Sequence, residues 1–408
     1  MVIDENKLAR QNLGIDKLAA KDYVGVLEWT TGVGKTFAAI LTIKRLQKLT
    51  IKPLVIHVIV PSENLQSQWN KVLLENNVKA VVYVINTYIK NNHLCDVLIA
   101  DEIHRYANDE AVYFSQLLTL SSYTYLIGLS ATLDDKKREF LKEFNVEIVD
   151  TITLSEAKRN GWVSDFIQYN IPLRLTAEEE KNYISYTNMI KYHFPYFNND
   201  LGLALSCLNK AKRQAYCAIS GLDEKEVGMR AVRFNLAMTK RKAIMYEGQA
   251  KIDIIKDIVK NKYKTIIFSE STSYADKVEQ TINNAVAYHS KLPTRIINGK
   301  KYGAKKLKDR AIAMITSGIA RVVITAKSMD VGTDIEGIDF LIIASGTQVE
   351  LQNKQRIGRG IRFAENKKTI IINLFFKGTV DETWLNNRQK NGIAINWINN
   401  INEIDYDD

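Results

Sequence analysis

The sequence predicts an α/β fold: two tandem doubly wound parallel-sheet lobes with a helical segment between them. Three observations predict it. Short apolar runs of strand length alternate with stretches of helical periodicity over residues 23–150, and again from residue 265 to 374. Several runs are apolar throughout, as strands buried on both faces of a parallel sheet are. Between the two blocks, residues 177–259 are mostly helical in pattern. The expected organisation is an N-terminal lobe over 1–153, a connection and helical segment over 154–262, a C-terminal lobe over 263–385 and a tail over 386–408.

Composition narrows the class. A chain of 408 residues can carry two or three cores, and its 46% apolar fraction is ordinary for a globular protein. Lys and Arg number 56 against 46 Asp and Glu, a net charge of +10 that favours a polyanionic partner. No apolar run approaches the roughly 20 residues that span a bilayer. The start, Met1-Val2-Ile3-Asp4-Glu5-Asn6-Lys7, has no apolar signal core. A cytoplasmic protein with no membrane partner is expected. Cys95, Cys207 and Cys217 form no CxxC pair, so neither a disulfide framework nor zinc is expected.

Residues 5–20 form a first helix carrying Arg10 and Gln11. The Gln11 amide offers a donor and an acceptor suited to an adenine edge, or it lies on a solvated polar face. Tyr23 to Leu27 is a short buried strand, and Phe37 to Leu46 has helical spacing. The intervening Thr30-Thr31-Gly32-Val33-Gly34-Lys35-Thr36 has the features of a phosphate loop. Its glycines let backbone N–H groups fold around phosphates at the positive end of the following helix. Lys35 would reach the β- and γ-phosphates, and Thr36 would hold Mg²⁺. Trp29 stands where the full pattern has glycine.

Leu54 to Val60 is a buried strand ending at Pro61-Ser62. A helix over 63–74 then carries Gln68 and Trp69, and a strand over 81–85 ends near Thr87. Val97 to Ala100 ends in Asp101-Glu102-Ile103-His104. An acidic pair at the carboxyl end of a parallel strand lies on the ligand edge of such a sheet. There Asp101 would hold Mg²⁺, and Glu102 would orient and deprotonate the water attacking a γ-phosphate. Tyr125 to Leu129 is closed by Ser130-Ala131-Thr132 on the same edge.

The segment from 177 to 259 carries a basic series from Lys210 to Lys242, read either as a solvated face or as phosphate contacts. Tyr192, Phe194, Tyr196 and Phe197 read as helix packing. Strands over 265–268, 285–288, 321–324, 340–344 and 369–374, with a helix over 305–316, make the second lobe, which has no phosphate loop. Arg356, Arg359 and Arg362 are spaced by three and share one helical face. Guanidinium groups aimed across a cleft could supply arginine fingers, each worth roughly 10³–10⁵ in rate.

In order along the chain, these segments resemble the motifs of superfamily 2 helicases and translocases. Residues 30–36 resemble motif I. Pro61-Ser62 with Gln68-Trp69 resembles motif Ia, and Thr87 falls where motif Ib does. Asp101-Glu102-Ile103-His104 is similar to the DExH form of motif II, and Ser130-Ala131-Thr132 to motif III. Phe268-Ser269 resembles motif IV, Thr325 to Asp334 motif V, and Gln355 to Arg362 the QxxGRxxR of motif VI.

The resemblance implies RecA-like lobes and an ATP hydrolase using ATP and Mg²⁺. It implies that Thr31, Gly32, Val33, Gly34, Lys35, Thr36 and Gln355 bind the nucleotide and that Gln11 reads its adenine. Lys35, Asp101, Glu102, Arg359 and Arg362 would carry catalysis. His104, Ser130, Thr132 and Gln355 would couple the nucleotide to the interface. Ser62, Gln68, Thr87, Ser269, Thr325 and Lys327 would hold a nucleic-acid backbone. Ala326 and Val331 depart from the common motif V pattern. Within the superfamily the chain looks most like viral recombination helicases and the motor subunits of restriction enzymes. That favours DNA over RNA and a viral or phage source. With motif I near the start and motif VI near the end of the chain, no room for a nuclease domain is expected. The expected activity is unwinding. The alternatives are a duplex translocase or annealing motor, or an ATP-gated RNA remodeller that does not translocate.

Overall fold

The computed structural model describes residues 4–91, 93–107, 116–119, 121–259, 263–326, 335, 337–346, 368–389 and 394–405. Helix α1 (Glu5–Ala19) starts on Asp4, whose carboxylate accepts from the Lys7 N–H. The first sheet contains β1 (Val24–Trp29), β2 (Ile56–Val60) and β3 (Val81–Val84). The short pair β4 (His93–Leu94) and β6 (Ser121–Ser122) stands apart from it, while β5 (Val97–Asp101), β7 (Tyr125–Ser130) and β8 (Ile148–Ile152) complete it. All its pairings are parallel, in the order β3-β2-β5-β7-β1-β8. Between β1 and β2 runs helix α2 (Lys35–Leu49), and between β2 and β3 runs α3 (Glu63–Glu75). Every residue of β2 and β5 is buried, as their apolar runs predict.

The second sheet takes its first strand from the connection. β9 (Asp165–Leu173) pairs along its whole length with β16 (Lys368–Phe376). With β10 (Thr265–Ser269), β11 (Ala285–Tyr288), β14 (Val322–Ala326), β15 (Phe340–Ile343) and β17 (Asn396–Trp397), the parallel order is β11-β14-β10-β15-β16-β9-β17. A separate antiparallel hairpin, β12 (Arg295–Ile297) and β13 (Lys300–Tyr302), follows β11. One apolar cluster runs from Leu27, Val58 and Ile99 through Trp162, Val163 and Phe166 to Phe268, Leu341 and Ile343. The two sheets therefore share buried apolar contact through the start of the connection.

The helices Ala177–His193, Leu201–Ser206, Lys210–Ser220 and Glu224–Glu247 enclose a smaller core of Ile190, Phe197, Val227, Ala231 and Phe234. Three of the four aromatics, Phe194, Tyr196 and Phe197, pack with this core as the sequence suggests, whereas Tyr192 is exposed. Phe197 is buried, and Phe194 stacks on Phe234 with centroids 5.0 Å apart. Two members of the basic series are held in ion pairs, Arg213 with Glu224 at 3.4 Å and Arg230 with Glu226 at 2.7 Å. No helix among the described residues is long and apolar enough to cross a membrane.

Candidate functional site

The strand order decides which loops meet. β7 lies between β5 and β1, so the carboxyl ends of three neighbouring strands deliver Asp101, Ser130 and the phosphate loop to one edge. The loop leaves β1 and enters α2 through Gly32 and Gly34, at φ 87° and 89°. Both lie in the left-handed region that disfavours a side chain. At Gly34 a Cβ would also lie 2.5 Å from Gln11 Nε2. The loop is held from α1: Gln11 Nε2 donates to Val33 O at 2.8 Å, and Lys7 Nζ donates to Gly32 O at 2.9 Å. The buried Gln11 amide thus braces the phosphate loop. Lys35 Nζ folds back over the loop, donating to Trp29 O at 2.8 Å.

Trp29 departs from glycine for a packing reason. Its indole is fully buried beneath α1, where it closely covers Gly14, and its Nε1 donates to Asp150 at 2.8 Å. Arg10 and Lys17 reach the same carboxylate at 2.7 and 2.6 Å. Burial alone would raise the Asp150 pKa, but these hydrogen bonds hold it below the ordinary range. Arg10 also pairs with Glu156 at 2.8 Å, which fixes α1, and with it Gln11, against β8 and the connection.

At the end of β5 the backbone turns sharply. Glu102 has φ 55° and begins the one-turn helix Ile103–Arg105. This local strain brings Glu102 and His104 onto the edge together. His104 Nδ1 sits 3.3 Å from Glu102 Oε2 and 3.1 Å from Ser130 Oγ. Ser130 Oγ in turn donates to Thr132 O at 3.0 Å. His104, Ser130 and Thr132, three of the expected coupling residues, are therefore in one chain of contacts with Glu102. Next to them, Glu28 receives Arg138 at 2.8 Å and the Leu133 N–H at 2.7 Å, tying the segment after Thr132 to β1.

The Asp101 carboxyl is pushed up to about 6, first by burial and then by the neighbouring Glu102 charge. Trp69 Nε1 opposes this by donating to Asp101 Oδ2 at 2.8 Å. Sequence reasoning names Trp69 only within its helix and the motif Ia resemblance, not as a partner of Asp101. Its signal is a buried indole on the inner face of α3, which needs a partner for its N–H. Trp69→Phe is expected to weaken binding of Mg²⁺-nucleotide by about 10- to 100-fold at limiting Mg²⁺. Fluorescent-nucleotide titration across Mg²⁺ concentrations reads this, and unchanged Mg²⁺ dependence would remove Trp69 from the site.

Burial pushes His104 down to about 4, so the ring is neutral in the fold at neutral pH. A depressed histidine opposes folding as pH falls. Its effect is absent above about 6.5, where both states are neutral, and grows as the unfolded chain takes up a proton towards pH 4. The raised Asp101 works in the opposite direction over an overlapping window, so the net slope of the wild type hides both. His104→Gln is expected to gain stability relative to wild type, by a few kcal/mol, between pH 6.5 and 4. Paired urea titrations at several pH values measure that difference, and a constant offset would contradict it.

The residues fit a magnesium nucleotide. Positive-φ glycines leave room for the phosphates, and the buried Thr31 Oγ1 has no partner among the described residues. Thr36 and Asp101 offer the hard oxygen ligands that Mg²⁺ prefers. Of the expected nucleic-acid contacts, Ser62 caps α3, with its Oγ accepting from the Leu65 N–H at 3.5 Å. Gln68 is half-buried and Thr87 is exposed. Ser269 and Thr325 are buried at the ends of β10 and β14, and Ser269 Oγ lies 3.3 Å from Ser345 Oγ. As placed, these two side chains shape the strand ends below the surface. Lys327, Gln355, Arg359 and Arg362 lie outside the described residues.

A phosphate loop and an acidic pair on one of two tandem parallel α/β sheets define a nucleotide-hydrolysing motor fold. The family model for the type III restriction enzyme res subunit matches residues 5–92, and that for the helicase conserved C-terminal domain matches residues 250–364. These matches support a superfamily 2 helicase or translocase, and the chain is an ATP-hydrolysing enzyme. It is similar to the DNA 3′-5′ translocase XPB2 of Sulfurisphaera tokodaii, with 24% identity over 385 residues covering 88% of this chain and 80% of that one. Its fold is similar to the Hef helicase domain of Pyrococcus furiosus, with TM-score 0.55 and 13% identity, covering 94% of this chain and 99% of that one. S. cerevisiae Dbp5, solved with RNA and ADP BeF3, gives TM-score 0.59 and 16% identity over 95% of this chain and 89% of that one. At these identities the two structures speak to fold alone.

Proposed function

We propose that the chain is an ATP-driven DNA helicase of the cytoplasm, stepping along and separating DNA strands. The meeting of the phosphate loop with Asp101 and Glu102 on one sheet edge carries this reading, beside a second sheet of the same kind. Lys35 would bind the β- and γ-phosphates, and Glu102 would take a proton from the attacking water. Thr36 and Asp101 would hold Mg²⁺, which when bound neutralises charge on the phosphates. Arg359 and Arg362 would reach the γ-phosphate from the second lobe, drawing the lobes together until hydrolysis releases them. A grip that differs between the two states turns that cycle into directed stepping. Backbone contacts carry no sequence information, so binding should be sequence-tolerant and weakened by salt.

The relative named a DNA 3′-5′ translocase favours DNA, and it also supports a second reading, movement along duplex without separation. ATP hydrolysis measured separately with single-stranded, duplex and branched DNA and with RNA tests the proposal, beside strand- and triplex-displacement assays. Stimulation by DNA that grows with strand length, together with strand displacement, is expected. Triplex displacement alone would select the second reading, and stimulation by RNA alone would overturn both.

A further inference from the structure

The strands of the first sheet are all parallel, so α2 starts at their carboxyl ends and finishes towards the amino end of β2. Its last turns therefore lie at the edge opposite the phosphate loop. There a cavity of about 650 Å³ opens between α1, α2 and the segments that lead into β2 and β3. Its floor is aliphatic: Ile15 and Ile56 are buried at it, and Leu41, Leu54 and Val78 are half-buried. None of the expected catalytic or nucleotide-binding residues lines it.

The rim is basic. Lys44, Lys48 and Lys79 are exposed on it, and none of the three is in an ion pair among the described residues. Acids of the flanking helices are already paired, Asp16 with Arg45 and Glu75 with Lys71 at 3.8 Å. Single exposed apolar side chains are ordinary, but here they gather. Leu49 and Ile51 fall between the lining residues Lys48 and Pro53, Val55 follows Leu54, and Leu74 stands in the last turn of α3, just before Asn77. Leu49 is 68% exposed, Leu74 78%, and Ile51 fully. An aliphatic cavity continuous with such a patch marks a docking surface rather than a pocket for a small polar ligand.

We propose that this surface docks an acidic amphipathic segment of a partner protein, its apolar side chains in the cavity and its carboxylates on Lys44, Lys48 and Lys79. Charge complementarity selects the segment. Three lysines around an aliphatic floor repel a basic chain and give a neutral one no ionic contact. Nucleic acid fits less well, because no aromatic ring on which a base could stack lines the cavity. The surface is remote from the catalytic edge, so docking there goes beyond the motor reading and does not depend on it.

The probe is a labelled helical peptide of about 15 residues with leucine on one face and glutamate on the other. Its binding to the whole chain is read by fluorescence anisotropy, beside a peptide with lysine in place of each glutamate and a single-stranded oligonucleotide. The acidic peptide is expected to bind saturably and the basic one not. Lys44→Glu combined with Lys48→Glu is expected to weaken the acidic peptide about tenfold or more, and Ile51→Ser about threefold, with ATP turnover of both within about twofold of wild type. No saturable binding of the acidic peptide, equal binding of both peptides, or unchanged affinity in the charge-reversed variant each overturns the proposal and leaves the motor standing. So does an oligonucleotide that competes with the acidic peptide and loses as much affinity through the same two changes, which assigns the surface to nucleic acid. Should the charge reversal fail to fold, Ile51→Ser decides, and its unchanged affinity overturns the assignment.

Discussion

Glu102→Gln is expected to bind ATP within about twofold of wild type and to hydrolyse it roughly 10²–10⁴ times more slowly. The amide keeps the size of the side chain and an oxygen or nitrogen facing His104 Nδ1, now 3.3 Å away. It cannot accept a proton from water. The change also removes the charge that helps raise the pKa of Asp101, so Asp101 stays ionised to lower pH and Mg²⁺-nucleotide binding does not weaken. Binding and chemistry should therefore separate cleanly. Nucleotide titration followed by single-turnover hydrolysis measures both, and a variant that kept the full rate would place the base elsewhere.

Much of this site can be read along the chain because parallel α/β sheets gather function at strand ends. Lys35, Asp101 and Ser130 each follow an apolar run, and the strand order places those runs side by side. The paired residues of the site are harder to see. Trp69 and Asp101, or Trp29 and Asp150, meet across long sequence separations that no local period records. The same holds for Gln11. Its position before the loop suggests contact with a base, whereas its amide reaches the Val33 carbonyl. β9 illustrates a different limit. Its extended pattern is plain, but membership of the second sheet is set by pairing with β16, far along the chain. The hairpin at 295–302 does have a local signal. Asn298-Gly299 between Arg295-Ile296-Ile297 and Lys300-Lys301-Tyr302 is a strong short-range turn cue. A reading that looks for buried strands passes over it because neither flank is apolar enough.

The second large effect concerns the other wall of the cleft. Arg359 is proposed to stabilise charge on the γ-phosphate from the second lobe, and a guanidinium in that role is worth roughly 10³–10⁵ in rate. Alanine removes the donor and the charge while leaving Lys35, Asp101 and Glu102 intact on the first sheet. DNA binding depends on other surfaces and should survive. This variant asks whether both lobes take part in one catalytic event, which a single-lobe hydrolase would not need. The direct measurement is DNA-stimulated ATP turnover by Arg359→Ala, with DNA affinity determined on the same sample. A fall in turnover of about 10³ or more, at unchanged affinity, is the predicted result. Turnover equal to that of wild type would contradict the two-lobed engine.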